Sequence, residues 1–100
     1  MEHKVINDTL TIYLKGELNS YTSEEVGKEI EKIISGSTFK KLVLDLKELQ
    51  YISSAGLRIV IKLKQRFDNT SLVNVPQDVF EIFKMVGFGN LIEIKPLSRE

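Results

Sequence analysis

The side chains in this sequence that could do chemistry are few, and the most suggestive are Ser53 and Ser54 in Tyr51-Ile52-Ser53-Ser54-Ala55-Gly56-Leu57. Two hydroxyls stand where an apolar run ends and a helical pattern begins. A serine nucleophile requires a histidine base beside it, and the one histidine, His3, lies near the N-terminus. The stretch Ile52–Gly56 also lacks the first glycine of the G-x-S-x-G elbow. Cysteine is absent, which removes thiolate nucleophiles, thiolate metal ligands and disulfides together. Without clustered histidines or carboxylates no metal is expected. Neither a P-loop nor a G-x-G-x-x-G fingerprint occurs, so no cofactor is expected either. Asp45 and Glu48 stand near the end of an apolar run with no supporting pocket for acid–base work. The sequence reads as a non-enzyme with no catalytic residue.

Other roles for the two serines remain. A hydroxyl just before a helix satisfies a free backbone N–H, and Ser53 fits such an N-cap. Ser54 then falls in the first turn, near unpaired N–H groups and the positive end of the helix dipole. A phosphate dianion added there is tolerated by the fold and its charge is read at the surface. Gly56 has two readings: close approach of a partner's backbone or a phosphate, or simple packing of helix on strand.

The elements that position these residues follow from periodicity. Val5, Leu10, Ile12 and Leu14 alternate with polar residues around the turn-forming pair Asn7-Asp8, which predicts a hairpin with strands Lys4–Ile6 and Thr9–Leu14. Thr22 followed by Glu25 has the spacing of a capping box, and Val26, Ile30, Ile33 and Ile34 carry a helix over Ser23–Ser35, stopped at Gly36. Leu42, Val43, Leu44 and Leu46 form a nearly continuous apolar run, expected of a strand buried on both faces. After Ser54 the expected buried face of a second helix is Ala55, Ile59, Leu63 and Phe67. A short strand at Ser71–Val75 precedes a third helix opened by Pro76, with Val79, Ile82, Phe83 and Val86 as its apolar stripe and Gly87 as its stop. Phe80 and Phe88 are expected to be partly buried, and Leu91–Ile94 is the last strand.

The order β-β-α-β-α-β-α-β implies an α/β fold: a single mixed sheet, an opening hairpin plus parallel βα units, with helices mostly on one face. One domain spanning residues 1–100 is all that 100 residues allow. With 42% hydrophobic and 28% charged residues the composition is that of an ordinary globule. Fourteen basic residues balance fourteen acidic ones, so no nucleic-acid or membrane partner is indicated. No signal-peptide or membrane-spanning apolar stretch is seen, and the expected location is the cytoplasm.

Two segments, GELNSYT and LDLKELQYISSAGLRIV, together resemble the STAS-domain family, specifically its phosphorylation-switched anti-sigma factor antagonists. The resemblance covers essentially the whole chain. It implies that an ATP-dependent anti-sigma factor serine kinase phosphorylates a serine at the start of the second helix. It further implies that the unphosphorylated protein binds the anti-sigma factor and frees a sigma factor, a partner switch in transcription regulation, and that a PP2C-type phosphatase resets it. Position by position, the phosphoacceptor falls on Ser54, with Ser53 as the lesser candidate. The partner surface falls on Asn19, Ser20, Tyr21, Thr22, Ser53, Ser54, Ala55 and Gly56. The family's aspartate before the acceptor is replaced by Ser53, and Asn19 stands where many members have aspartate; both changes lower the acidity. The alternative is a STAS module that serves as a constitutive scaffold in a stress-signalling or transporter-associated complex, with no phospho-switch.

Arg58, Lys62 and Arg66, four apart, form a basic stripe that the resemblance does not supply. Cations near a helix C-terminus complement its dipole, which accounts for Lys64 and Arg66 but not for Arg58. The other reading is that Arg58 and Lys62 contact a partner's acidic patch, with Arg58 able to pair with a phosphate on Ser54.

Overall fold

A computed structural model describes residues 1–98. The elements are strand β1 (His3–Ile6), strand β2 (Thr9–Leu18), helix α1 (Ser23–Ser35), strand β3 (Lys41–Ile52), helix α2 (Ser54–Arg66), strand β4 (Thr70–Val75), helix α3 (Gln77–Met85), a 3-10 turn at Phe88–Asn90 and strand β5 (Glu93–Pro96). The strands form one sheet in the order β1-β2-β3-β4-β5. β1 is antiparallel to β2, through a turn with Asn7 at φ 56°, and all other pairs are parallel. This is the mixed α/β sheet that the element order requires.

One face of the sheet makes the core. Leu10, Ile12 and Leu14 of β2, Leu42, Leu44 and Leu46 of β3, and Leu72 and Val75 of β4 are buried there. Ile30 and Ile34 of α1, Val60 and Leu63 of α2, and Val79 and Phe83 of α3 join the same cluster. Burying each such side chain is worth about 1.5–3 kcal/mol. The opposite face carries half-buried Thr11, Tyr13, Val43, Asp45 and Val73. β3 is thus buried on one face, not on two. Its apolar run looked continuous because Val43 is an apolar residue on the more open side.

Both strands that lead to the serines are longer than their alternation suggested. β2 continues past Leu14 to Leu18 through Gly16, whose φ of 72° is one that L side chains rarely adopt. Opposite it, β3 accommodates an extra residue twice, between Tyr13/Lys15 and again between Gly16/Glu17 of its partner. Each bulge turns the strand by one residue. Leu46, Leu49 and Ile52 therefore all face the core although they lie three apart.

Other boundaries shift for local reasons. α1 has the expected limits, but Thr22 makes no capping box: its hydroxyl is committed to the preceding loop and gives no side-chain cap bond. The buried stripe of α2 is Gly56, Val60 and Leu63, with Ala55, Ile59 and Phe67 only half-buried beside it. Pro76 sits before α3 in extended conformation, as its N-cap residue. Val86 is 50% exposed because the helix has already ended, and Gly87 leaves it at φ 76°. The 3-10 turn that follows buries Phe88 against Phe83, with ring centroids 5.1 Å apart, and delays the last strand from Leu91 to Glu93. Phe80 is half-buried as expected, whereas Phe88 is buried outright.

Candidate functional site

The C-terminal ends of β2 and β3 lie side by side, with Leu18 opposite Ile52. The Ser53 amide donates to the Leu18 carbonyl at 2.8 Å, which ties the start of α2 to the start of the Asn19 loop. Asn19, Ser20, Tyr21 and Thr22 are thereby brought next to Ser53, Ser54, Ala55 and Gly56, two segments more than thirty residues apart in sequence.

The Asn19 loop is shaped by its own hydrogen bonds. Asn19 Oδ1 accepts from the amides of Tyr21 (2.8 Å) and Thr22 (3.0 Å), and the Ser23 amide donates to the Asn19 carbonyl at 2.9 Å. Thr22 Oγ1 accepts from the Asn19 amide at 2.9 Å and donates to the Glu17 carbonyl at 2.8 Å. Asn19 thus shapes the loop ahead of α1, while the helix itself has no side-chain cap. Asn19 Nδ2 donates to Glu17 Oε1 at 3.2 Å, a bond that an aspartate could not make. Held by this frame, Tyr21 projects into solvent with 92% of its surface exposed.

Ser54 is the first residue of α2 and is exposed. No acidic residue stands in the first turn of that helix. Ser53 occupies the N-cap position in extended conformation, yet makes no side-chain cap bond. Its Oγ is buried without a hydrogen-bond partner. Ser53 thus contributes its backbone to the junction and withholds its hydroxyl from the surface.

Gly56 resolves toward packing. A Cβ at this position would lie 2.7 Å from Ile52 Cγ1, 2.8 Å from Leu18 Cγ and 2.9 Å from the Leu18 carbonyl oxygen. The missing side chain lets α2 rest directly on the ends of β2 and β3, which leaves Gly56 buried rather than offered to a partner. Ala55 is half-buried beside it.

The basic stripe divides by position. Arg66 is engaged at home: it pairs with Glu31 of α1 at 2.5 Å and lies over the Phe67 ring, 4.9 Å from its centroid. Lys64 bonds the Asp68 carbonyl and is half-buried. Arg58 and Lys62 are exposed and have no ion-pair partner among the described residues. Tyr51, 46% exposed and next to Ile52, is an aromatic on this end that sequence reasoning missed. Its available signal was position alone, one residue before the inward-facing Ile52 on the strand. Among the described residues no three histidine, cysteine or carboxylate side chains are grouped to hold a metal, and no helix is long and apolar enough to cross a membrane.

The arrangement is an exposed hydroxyl on a rigid junction, flanked by a braced loop and a free arginine one turn on. Comparison with known proteins bears on the family and the fold. The family model described as STAS domain matches residues 1–100. An anti-sigma-B factor antagonist of Listeria monocytogenes is 30% identical over 97 residues, covering 93% of this chain and 84% of the relative. An anti-sigma factor antagonist from Mycobacterium paratuberculosis superposes with TM-score 0.83 at 16% identity, over 95% of this chain and 83% of that one. The Bacillus cell fate determinant SpoIIAA in its phosphorylated form gives TM-score 0.66 at 19% identity, over 93% and 88%. The two structural likenesses speak for the fold, and the family model and the Listeria relative for descent: the chain belongs to the STAS-domain family, among the anti-sigma factor antagonists.

Proposed function

We propose that this chain works by partner switching: unphosphorylated, it binds an anti-sigma factor and so frees a sigma factor, and phosphorylation of Ser54 ends that binding. The observation that carries the reading is the exposed Ser54 hydroxyl at the first position of α2, beside the braced Asn19–Thr22 loop. In the forward step Ser54 Oγ attacks the γ-phosphorus of ATP held by the anti-sigma factor kinase. The new O–P bond replaces the bond to ADP, and the hydroxyl proton leaves to a base on the kinase. A PP2C-type phosphatase returns the hydroxyl by hydrolysis, releasing inorganic phosphate.

The fold tolerates the change because the dianion sits at the positive end of the α2 dipole, and Arg58, one turn on, can pair with it. The partner does not tolerate it. An added charge of about −1.5 to −2, buried against a partner surface without compensation, costs about 3–5 kcal/mol. That corresponds to an affinity loss of roughly 150- to 4,500-fold.

The test is calorimetric binding of wild type, Ser54→Ala and Ser54→Asp to the anti-sigma factor of the same organism. Ser54→Ala is expected to bind like wild type and Ser54→Asp far more weakly; equal affinities overturn the switch. Intact-mass analysis after incubation with kinase and ATP is expected to add one phosphoryl group to wild type and none to Ser54→Ala.

A second reading, a constitutive STAS scaffold in a stress-signalling or transporter-associated assembly, is favoured by Ser53. Its oxygen is buried where the family resemblance expects a carboxylate, so no acid stands directly before Ser54. Under that reading no phosphoryl group is added and Ser54→Asp leaves partner binding intact.

A further inference from the structure

Helices α1 and α2 run in the same direction, because each leads from the end of one parallel strand to the start of the next. Between them lies an open groove of about 1010 Å³, with Gly27 and Ile30 of α1 and Ile59 and Leu63 of α2 on its floor. Gly27 is the residue that needs a reason. A glycine inside a helix destabilises it relative to alanine. A Cβ at Gly27 would meet only Ile59 Cδ1, at the ordinary contact distance of 3.9 Å. Packing within the chain therefore does not require glycine here, in contrast to Gly56. Gly27 lines the groove, and its missing side chain leaves that space open beside Ile59.

The rims carry a charge pattern. Lys28 pairs with Glu24 at 3.4 Å and Arg66 with Glu31 at 2.5 Å, so these four satisfy one another. Lys32 on the α1 side and Lys62 on the α2 side are exposed and have no ion-pair partner among the described residues. Two free cations on opposite walls disfavour a second copy of the same face and favour an occupant that is apolar beneath and anionic at both edges. The lining residues extend along α1 from Glu24 to Gly36, about 18 Å at about 1.5 Å per residue, the length of roughly three helical turns.

We propose that the α1–α2 groove is a docking site for an amphipathic helix of a partner protein. Its apolar stripe lies over Gly27, Ile59 and Leu63, and its acidic side chains meet Lys32 and Lys62. Apolar positions at i, i+3, i+4 and i+7 set into a groove are a recurrent mode of helix recognition. The proposal does not depend on phosphorylation of Ser54, and its site is distinct from the Ser54 junction.

The probes are two three-turn helical peptides with the same leucine stripe, one flanked by glutamates and one by lysines, titrated into the isotope-labelled full chain and followed by amide resonances. The acidic peptide is expected to shift Gly27, Lys32, Lys62 and Leu63, and the basic peptide to shift none of them. Gly27→Leu, which fills the groove, is expected to abolish the response. Lys62→Glu, a surface change that keeps the test valid should Gly27→Leu fail to fold, is expected to weaken the acidic peptide about tenfold and to admit the basic one, the scale of reversing one exposed ion pair. Absence of shifts, shifts confined to other residues, equal binding of both peptides, or wild-type binding by a folded Gly27→Leu overturns the proposal. So does saturation of the same resonances by laurate with no response to either peptide, which would assign the groove to an acyl chain.

Discussion

Replacing Gly56 with alanine adds a single methyl group, and the structure fixes what that group meets. Its contacts would be 2.7 Å to Ile52 Cγ1, 2.8 Å to Leu18 Cγ and 2.9 Å to the Leu18 carbonyl oxygen, all below any distance a Cβ tolerates. None of these atoms is the free end of a flexible side chain. The carbonyl is backbone and is already bonded to the Ser53 amide at 2.8 Å, while Leu18 and Ile52 are both 2% exposed and enclosed by core. Relief therefore requires α2 to lift from the sheet, at the usual cost of overpacking, about 1–3 kcal/mol. Alanine's better helix propensity returns up to about 1 kcal/mol, less in the first turn. The net expectation is a loss of about 1–2 kcal/mol, or roughly 5–15 °C in Tm for a domain of this size. Urea denaturation and thermal unfolding monitored by circular dichroism measure it directly. Gly27→Ala is the internal control: its methyl finds ordinary contact at 3.9 Å, so the same substitution there should stabilise by about 0.5–1 kcal/mol. If both variants shift stability in the same direction, or if Gly56→Ala is as stable as wild type, the close-packing argument for the α2 junction is refuted.

Ser53→Ala should leave stability unchanged or raise it by up to about 1 kcal/mol, since it removes a buried hydroxyl with no partner, whereas loss of a working N-cap would cost about 1 kcal/mol; the urea midpoint at constant slope decides. Asn19→Asp keeps the acceptor for the Tyr21 and Thr22 amides but turns a 3.2 Å donor contact with Glu17 into like-charge repulsion. It should destabilise by about 0.5–1 kcal/mol, and Glu17→Gln in the same chain should restore most of the loss in a double-mutant cycle. Phe88→Ala removes a 4%-exposed ring stacked on Phe83 and should cost about 3–5 kcal/mol, measured by chemical denaturation.

The sequence was most legible where one periodicity ran undisturbed. α1 begins and ends where its isoleucines and Gly36 place it, and the alternation of Leu10, Ile12 and Leu14 identifies the core face of β2. Legibility failed where two strands must be seen together. Leu46, Leu49 and Ile52 share a face only because the bulges opposite β2 absorb the extra residues, and nothing local to β3 announces them. Thr22 has the spacing of a capping box, but a hydroxyl can serve only one geometry, and the strand end at Glu17 claims it first. Ser54 was legible as the exposed first residue of a helix because the transition from strand to helix is written locally. The roles of Ser53 and Gly56 were less so: the tie of the Ser53 amide and part of the space denied at Gly56 involve Leu18, more than thirty residues away.

The strand order β1-β2-β3-β4-β5 has a bearing on how the chain assembles. No strand is inserted between two that precede it, so a nascent polypeptide never has to hold a gap open for a segment still inside the ribosome. Each new strand finds its neighbour at the growing edge, and every parallel pairing closes a loop no longer than one helix and its connections. Assembly can proceed by accretion from one edge to the other, with the seam between β2 and β3 laid down before the later half of the chain has emerged.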